Sequence, residues 1–478
     1  MLNEASKTAV RRRSIMGRRR PVRAFVALSD ELGDRATCQG AGSAPSEEVA
    51  SIVAEKLSYL LASPDIVDQS PATGSVKAVA ATTADLAGRR FLIVTAPFGP
   101  FGRAFADALT SRGAAVSRMI FNAGDAMTWG RRGVAFKADV REWPARLAEL
   151  AVTHTDIVVF GENGPYNQGV LSQSARLPAA VWVLENGYFR PDWITIERNG
   201  VNASSGLPRH RDAYAVRALA PHAKPIGSIL PHHVFNITAY HVAVGLGGFL
   251  YPRYASPYIQ APWLQAVGHI RRYWALRLRS KRECDAKRLT RRGPFFIACL
   301  QREGDAQLLR YSHYADNTAF LAEVMTSFAA HAPADARLVI KNHPLDPGLV
   351  DLASTTRALA VERGLDGRVD FIDGGNLAQL CRASRGMIVN NSSAALSALG
   401  FGTPVKVLGS AFFDFDGLTD QKPLDAFWGE PQEPDADLFA RFRSHVIARS
   451  QINGNYHEPR AIRPTAERLA RFLARQPR

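Results

Sequence analysis

The sequence predicts an α/β protein made of two Rossmann-like domains facing across a cleft. Two sets of short apolar runs of strand type, separated by helix-forming segments, begin near residues 90 and 295. Most of these runs end in polar residues, at the edge where an open parallel sheet binds its ligands. Between the sets stands Arg291-Arg292-Gly293-Pro294, a breaker sequence read as the boundary. The expected domains are a basic, largely disordered extension over 1–88, a first α/β domain over 89–292, a second over 293–460, and a C-terminal helix over 461–478.

Length and composition set the outer limits. The chain has 478 residues, enough for two or three domains with cores of their own, and its 46% apolar content is that of a globular protein. Cys38, Cys284, Cys299 and Cys381 form no CxxC pair and no zinc spacing, so they read as unpaired thiols in a reducing compartment. No apolar run has the length of a membrane span, and the basic N-terminus lacks the apolar core of a secretory signal. The net charge of +15 sits in two places. Residues 1–23 hold eight Lys/Arg against Glu4, and residues 271–292 hold ten against Glu283 and Asp285. Such clusters suit lipid headgroups, nucleic acid or an acidic sugar, or are solvated linkers.

In the first domain, residues 90–95 (RFLIVT) read as a strand, 96–102 as a Gly- and Pro-rich turn, 103–112 as a helix and 116–121 as the next strand. There is no GxGxxG and no GxxxxGK[ST], which speaks against a dinucleotide enzyme and an ATPase. Strands expected over 155–160 and 179–184 are followed by Glu162-Asn163-Gly164 and Glu185-Asn186-Gly187. Two neighbouring parallel strands thus end near a carboxylate, and Glu162 and Glu185 can face a common ligand; the alternative is that each caps the next helix. Residues 190–195 read as an irregular segment carrying Arg190, and 219–292 as mostly helical. Arg271, Arg272, Tyr273, Trp274, Arg277 and Arg279 place basic groups beside aromatics, which suits an anionic membrane interface; no nucleic-acid motif accompanies them.

In the second domain, strands are expected over 295–300, 337–340, 369–372, 387–389 and 405–408, with a polar loop over 301–314 and a helix over 317–331. Lys341-Asn342-His343-Pro344 follows a strand, so a basic residue and a histidine point into the crevice, and Pro344 holds His343 extended. Asn391, Ser392 and Ser393 stand between a strand and the helix-forming AALSAL, either as a simple cap or as a phosphate cradle. The tail over 461–473 is amphipathic and suited to pack on either domain.

Two such halves are what a GT-B glycosyltransferase requires: the leaving phosphate must be neutralised and the anomeric carbon met by an oriented carboxylate. The chain resembles the capsule polysaccharide biosynthesis/export family of the KpsS/LipB type, which are β-Kdo transferases (Kdo is 3-deoxy-manno-octulosonic acid). The motifs are APFGPF (96–101), FNAGD (121–125), ENGYFRPDWIT (185–195), the Gln301/Asp305/Gln307 loop, NHP (342–344) and NNSSA (390–394), spanning roughly 89 to 410. The last two are also similar to bacterial sialyltransferases, which use the same CMP-linked type of donor. The resemblance implies CMP-β-Kdo as donor substrate, no cofactor and no metal. It implies a phosphatidylglycerol-type lipid or Kdo-lipid acceptor, and a cytoplasmic protein peripheral at the inner membrane. A second Kdo transferase and a capsule export complex are implied as partners, and no nucleic acid.

Glu185 is expected as nucleophile or base at the anomeric carbon, with Glu162 as acid/base partner. His343, Asn342, Pro344, Asn391, Ser392 and Ser393 are expected at the CMP phosphate, with Gln301, Asp305 and Gln307 lining the donor site. Phe98, Gly99, Asp125, Asn186 and Arg190 are expected in the substrate cleft. Related enzymes often carry two acids where Glu185-Asn186 stands here, and the extension over 1–88 lies outside the family pattern. The alternative function is a non-catalytic polysaccharide- or lipid-binding component of a capsule export assembly.

Overall fold

The computed structural model describes residues 85–227, 229–278 and 285–477; the side chains of Tyr273, Arg277 and Gln307 and the whole of Arg279 fall outside the described residues, as does the expected extension up to residue 84. The first half runs β1 (Arg90–Ile93), α1 (Phe101–Thr110), β2 (Ala115–Ile120), α2 (Ala123–Trp129), β3 (Val134–Ala135), α3 (Trp143–Thr153), β4 (Asp156–Phe160), α4 (Pro165–Leu171), β5 (Ala180–Asn186) and β6 (Trp193–Arg198). Two helices follow, α5 (Leu230–Leu246) and α6 (Pro262–Leu278), then α7 (Ala286–Arg291). The second half runs β7 (Phe295–Cys299), α8 (Ala306–Arg310), α9 (Asn317–His331), β8 (Arg337–Lys341), α10 (Leu352–Glu362), β9 (Val369–Ile372), α11 (Leu377–Ala383), β10 (Gly386–Val389), α12 (Ala394–Gly400), β11 (Val405–Val407), α13 (Leu424–Phe427) and α14 (Ala436–Ser450). The chain then returns through β12 (Gln451–Asn453) and α15 (Pro459–Ala474).

Two sheets result, ordered β12-β6-β5-β4-β1-β2-β3 and β11-β10-β7-β8-β9. The second is parallel throughout; the first is parallel except at β6 and β12. Both central sets are buried on two faces, which is why their strands read as continuous apolar runs. In β1, Phe91 and Ile93 join the core on one face while Leu92 joins that on the other; in β7, Phe295 and Ile297 oppose Phe296 and Ala298 in the same way. Helix starts are set by side chains: Asp316 accepts from the Ala319 N–H at 2.8 Å to begin α9, and Glu458 accepts from the Ala461 N–H at 2.7 Å to begin α15.

Several expectations are corrected. Residues 193–195 belong to β6, an antiparallel partner of β5, because Trp193, Ile194 and Ile196 bury their side chains in the core. Residues 219–292, expected as mostly helical, carry α5, α6 and α7, with irregular stretches around Gly227 and Pro252. The expected loop over 301–314 contains α8. The second domain does not run to residue 460: β12 pairs with β6, so the chain re-enters the first sheet at Gln451. Tyr188, Phe189 and Trp193 of the β5–β6 hairpin join the core of the second sheet, which couples the halves next to the cleft.

Candidate active site

Strands β4 and β5 of the first half, and β7, β8 and β10 of the second, end at one crevice. It holds about 330 Å³ and is lined by Glu162, Glu185, Asn186, Arg190, Gln301, Asp305, Asn342, His343, Pro344, Asn391, Ser392 and Ser393 among others. Sheet order explains the convergence, since the ends of adjacent parallel strands meet on one edge.

On the first wall, Gly161 turns the chain after β4 with φ +72°, and a Cβ there would lie 3.3 Å from Glu185 Oε2. Glycine therefore serves both the left-handed turn and the neighbouring carboxylate. Glu185 Oε1 accepts from the Asn186 backbone N–H at 2.8 Å and from Asn186 Nδ2 at 3.2 Å. Burial pushes the Glu185 carboxyl above its ordinary range, opposed by the Asn186 N–H and Arg190 and reinforced by Asp305 and Glu162. Asn186 is thus a donor that orients Glu185. Glu162 is buried and accepts from the Val201 N–H at 2.9 Å.

On the second wall, the Leu345 N–H donates to His343 Nδ1 at 3.1 Å. The neutral ring therefore carries its proton on Nε2. Burial, with the positive charge of Lys341, Arg190, Arg302 and Arg272, pushes the His343 pKa down to about 3, so the imidazole is neutral at physiological pH. Asn342 Oδ1 accepts from the His343 N–H at 2.8 Å and fixes the turn. Gln301 bridges strand ends: its Nε2 donates to Asn391 Oδ1 at 2.5 Å and its Oε1 accepts from Asn390 Nδ2 at 2.8 Å. Gln301 and Asn391 therefore frame the cleft. Ser392 Oγ accepts from the Ala394 N–H at 3.3 Å, whereas Ser393, at the N-cap of α12, makes no capping bond.

Three expected cleft residues lie elsewhere. Asp125 is buried in an ion pair with Arg118 at 3.1 Å and accepts from the Phe121 N–H and the Tyr240 O–H, each at 3.1 Å. Phe98 packs on Tyr240, ring centres 4.8 Å apart, and a Cβ on Gly99 would meet the Asn236 side chain at 2.5 Å. The sheet places β1 and β2 one and two positions beyond β4, away from β5, so the segments after them form the seat of α5 rather than the crevice. Arg272 is also misassigned to the membrane. It is buried, ion-paired with Asp373, and donates to the carbonyls of His343 (3.0 Å), Pro344 (3.3 Å) and Asp346. Arg271 and Trp274 are exposed.

Lys341, expected to point into the crevice, lines it, whereas Arg302 and Arg443 line it without having been expected there. Arg302 adjoins Gln301 in the chain, which was the signal for it. Arg443 comes from the middle of α14, where no motif marks it; its guanidinium lies 5.2 Å from the Phe189 ring centre. Among the described residues, no group of three or more His, Cys, Asp or Glu side chains could hold a metal ion, and no helix is long and apolar enough to cross a membrane.

A cleft between two α/β halves, lined by oriented carboxylates, cations and a neutral histidine, is a site for a polar, anionic ligand. Residues 155–457 match the family model described as capsule polysaccharide biosynthesis protein. The chain is 32% identical over 385 residues to the capsule polysaccharide modification protein LipB of Neisseria meningitidis serogroup B, covering 77% of this chain and 91% of LipB. It is 31% identical over 394 residues to the capsule polysaccharide export protein KpsS of Escherichia coli, covering 79% of this chain and 99% of KpsS. The chain belongs to the capsule polysaccharide biosynthesis protein family. Among solved structures, the β-Kdo 2,7 transferase of Thermosulfurimonas dismutans KpsC matches with TM-score 0.36 at 14% identity, covering 74% of this chain and 90% of that one.

Proposed function

We propose that this protein is a glycosyltransferase that moves Kdo from CMP-β-Kdo to a phosphatidylglycerol-type lipid or Kdo-lipid acceptor, without a metal, at the inner face of the inner membrane. The observation that carries the reading is the placement of Glu185 and Glu162 in one crevice with neutral His343 and the cations Arg190, Arg302 and Lys341. A CMP-linked sugar acid brings an anionic phosphate and an anionic carboxylate, and Arg190, Arg302 and Lys341 complement them. His343 Nε2–H donates to the phosphate, and the cations offset its charge as the bond to the anomeric carbon breaks. The electron pair of that bond leaves with the CMP phosphate. Glu185 meets the anomeric carbon or takes the proton of the acceptor hydroxyl, and Glu162 serves as its acid/base partner. Asp305 and Arg190 line the sugar side, and Asn186 holds Glu185.

The test is incubation of the purified protein with CMP-Kdo and fluorescent lysophosphatidylglycerol. The expected result is a lipid heavier by one Kdo with release of one CMP. No CMP release and no heavier lipid would refute the reading. A second Kdo transferase and a capsule export complex are the partners this product calls for.

A further inference from the structure

Two helices at the rim of the molecule present their apolar faces outward. On α6, Trp263, Val267, Ile270 and Trp274 follow i, i+4, i+7 and i+11, a single stripe, and each is more than half exposed. The opposite face docks through polar groups and a close approach. Gln265 accepts from Arg302, Arg272 pairs with Asp373, and a Cβ on Gly268 would lie 2.5 Å from the Pro347 carbonyl. On α5, Phe235, Val242 and Leu246 are exposed on one side, with Phe249 just beyond. His233 and Tyr240 face inward, to His457 at 2.9 Å and to Asp125 at 3.1 Å. A water-facing helix does the reverse, and an apolar stripe four residues long on one helix differs from the scattered hydrophobics of an ordinary surface.

We infer that the α6 stripe inserts into the interfacial layer of an anionic bilayer. The inference deepens the lipid-acceptor reading and rests on it for its place in the reaction. Tryptophans stand at both ends of the α6 stripe, and indole rings favour the membrane–water boundary. The stripe runs into residues 271–292, with ten Lys/Arg against two acids; Asp373 takes up Arg272 and Asp370 takes up Arg292, which leaves eight cations, and Arg271 is exposed beside the stripe. An anionic bilayer complements both the apolar stripe and this charge, whereas a second copy of the chain would set like charge against like. The inner face of α6 holds the backbone of His343 and Pro344 through Arg272, so a bilayer seated on α6 lies at the rim of the crevice.

The test compares the full chain with the quadruple variant Trp263→Ser, Val267→Ser, Ile270→Ser, Trp274→Ser. Co-sedimentation uses phosphatidylglycerol vesicles and phosphatidylcholine vesicles; tryptophan quenching uses brominated phosphatidylglycerol, and CMP affinity is measured without lipid. The wild type is expected to bind phosphatidylglycerol vesicles, to remain partly bound at about 0.5 M salt, where charge alone is screened, and to be quenched by bromine. The variant should bind at least about tenfold more weakly and lose the quenching, with CMP affinity unchanged. Vesicle binding by the variant equal to that of the wild type overturns the inference. So does a wild-type dimer that the variant loses while neither binds vesicles. If CMP fails to bind either protein, the transferase reading falls while the vesicle result still decides this one.

Discussion

The wall of the cleft built by the first half and the wall built by the second carry opposite charge. The first brings Glu162 and Glu185 from the segments ending β4 and β5; the second brings Arg302, Lys341 and His343 from the segments ending β7 and β8. Each wall also holds one group of the other sign, Arg190 on the first and Asp305 on the second, and both act on the Glu185 carboxyl. Burial drives the two key titrating groups toward neutrality from opposite sides: it raises the Glu185 pKa and lowers that of His343. Under the proposed function the difference divides the labour, with chemistry at the carboxylate wall and nucleotide holding at the cationic wall.

The comparison can be broken most directly at Glu185. Glu185→Gln is expected to lower kcat by about 10²–10⁴-fold in the transfer assay. In the wild type the acid limb of the pH–rate profile should lie above the ordinary carboxylate range, since the rate falls as pH drops through the raised pKa. A limb within the ordinary range would mean that another group titrates. Next, His343→Ala should cost about 10²-fold in kcat/KM, with wild-type activity unchanged by EDTA. Loss of wild-type activity on chelation would contradict the arrangement.

Asp125 sharpens the comparison from outside the cleft. Asp125→Asn leaves Arg118 buried without its counter-charge and should destabilise the fold by roughly 3 kcal/mol in denaturant unfolding, with KM for the donor unchanged. A changed KM at constant stability would return Asp125 to the substrate site. The smallest effect is expected at Glu197, which accepts from Tyr188 and Ser205 and whose pKa burial raises to about 7. Between the ordinary 4.5 and 7 the folded state holds more protons than the unfolded one, so stability falls as pH rises through that window. Glu197→Gln should flatten the dependence and stabilise the protein at pH about 8 by on the order of 1–3 kcal/mol. An unchanged slope between wild type and variant would remove Glu197 as its source.

The elements legible in the sequence were those whose local pattern and tertiary role agree. β1, β8, β9 and α9 fall where short apolar runs and the Asp316 cap place them. α15 and α6 show the limit. Both are amphipathic, but α15 buries Ile462, Ala466, Leu469 and Leu473, whereas α6 exposes its apolar stripe and buries Arg272. Periodicity identifies a face without saying whether that face docks inward, so the basic cluster read as a membrane contact included an internal ion pair. Glu162 and His343 were legible because each follows a strand that ends at the crevice, and Glu185 because it lies at the end of one. Asp125 followed a strand too, but β2 lies two positions beyond β4 in the sheet, an order that no local pattern encodes. Arg443 reaches the crevice only through the packing of α14 against the second sheet.

The central claim is the division between the walls, and CMP binding set beside turnover in Glu185→Gln and His343→Ala tests it most directly. The account predicts that Glu185→Gln binds CMP like the wild type and turns over CMP-Kdo about 10²–10⁴-fold more slowly, while His343→Ala binds CMP at least about tenfold more weakly. Loss of CMP affinity in Glu185→Gln with normal affinity in His343→Ala would contradict it.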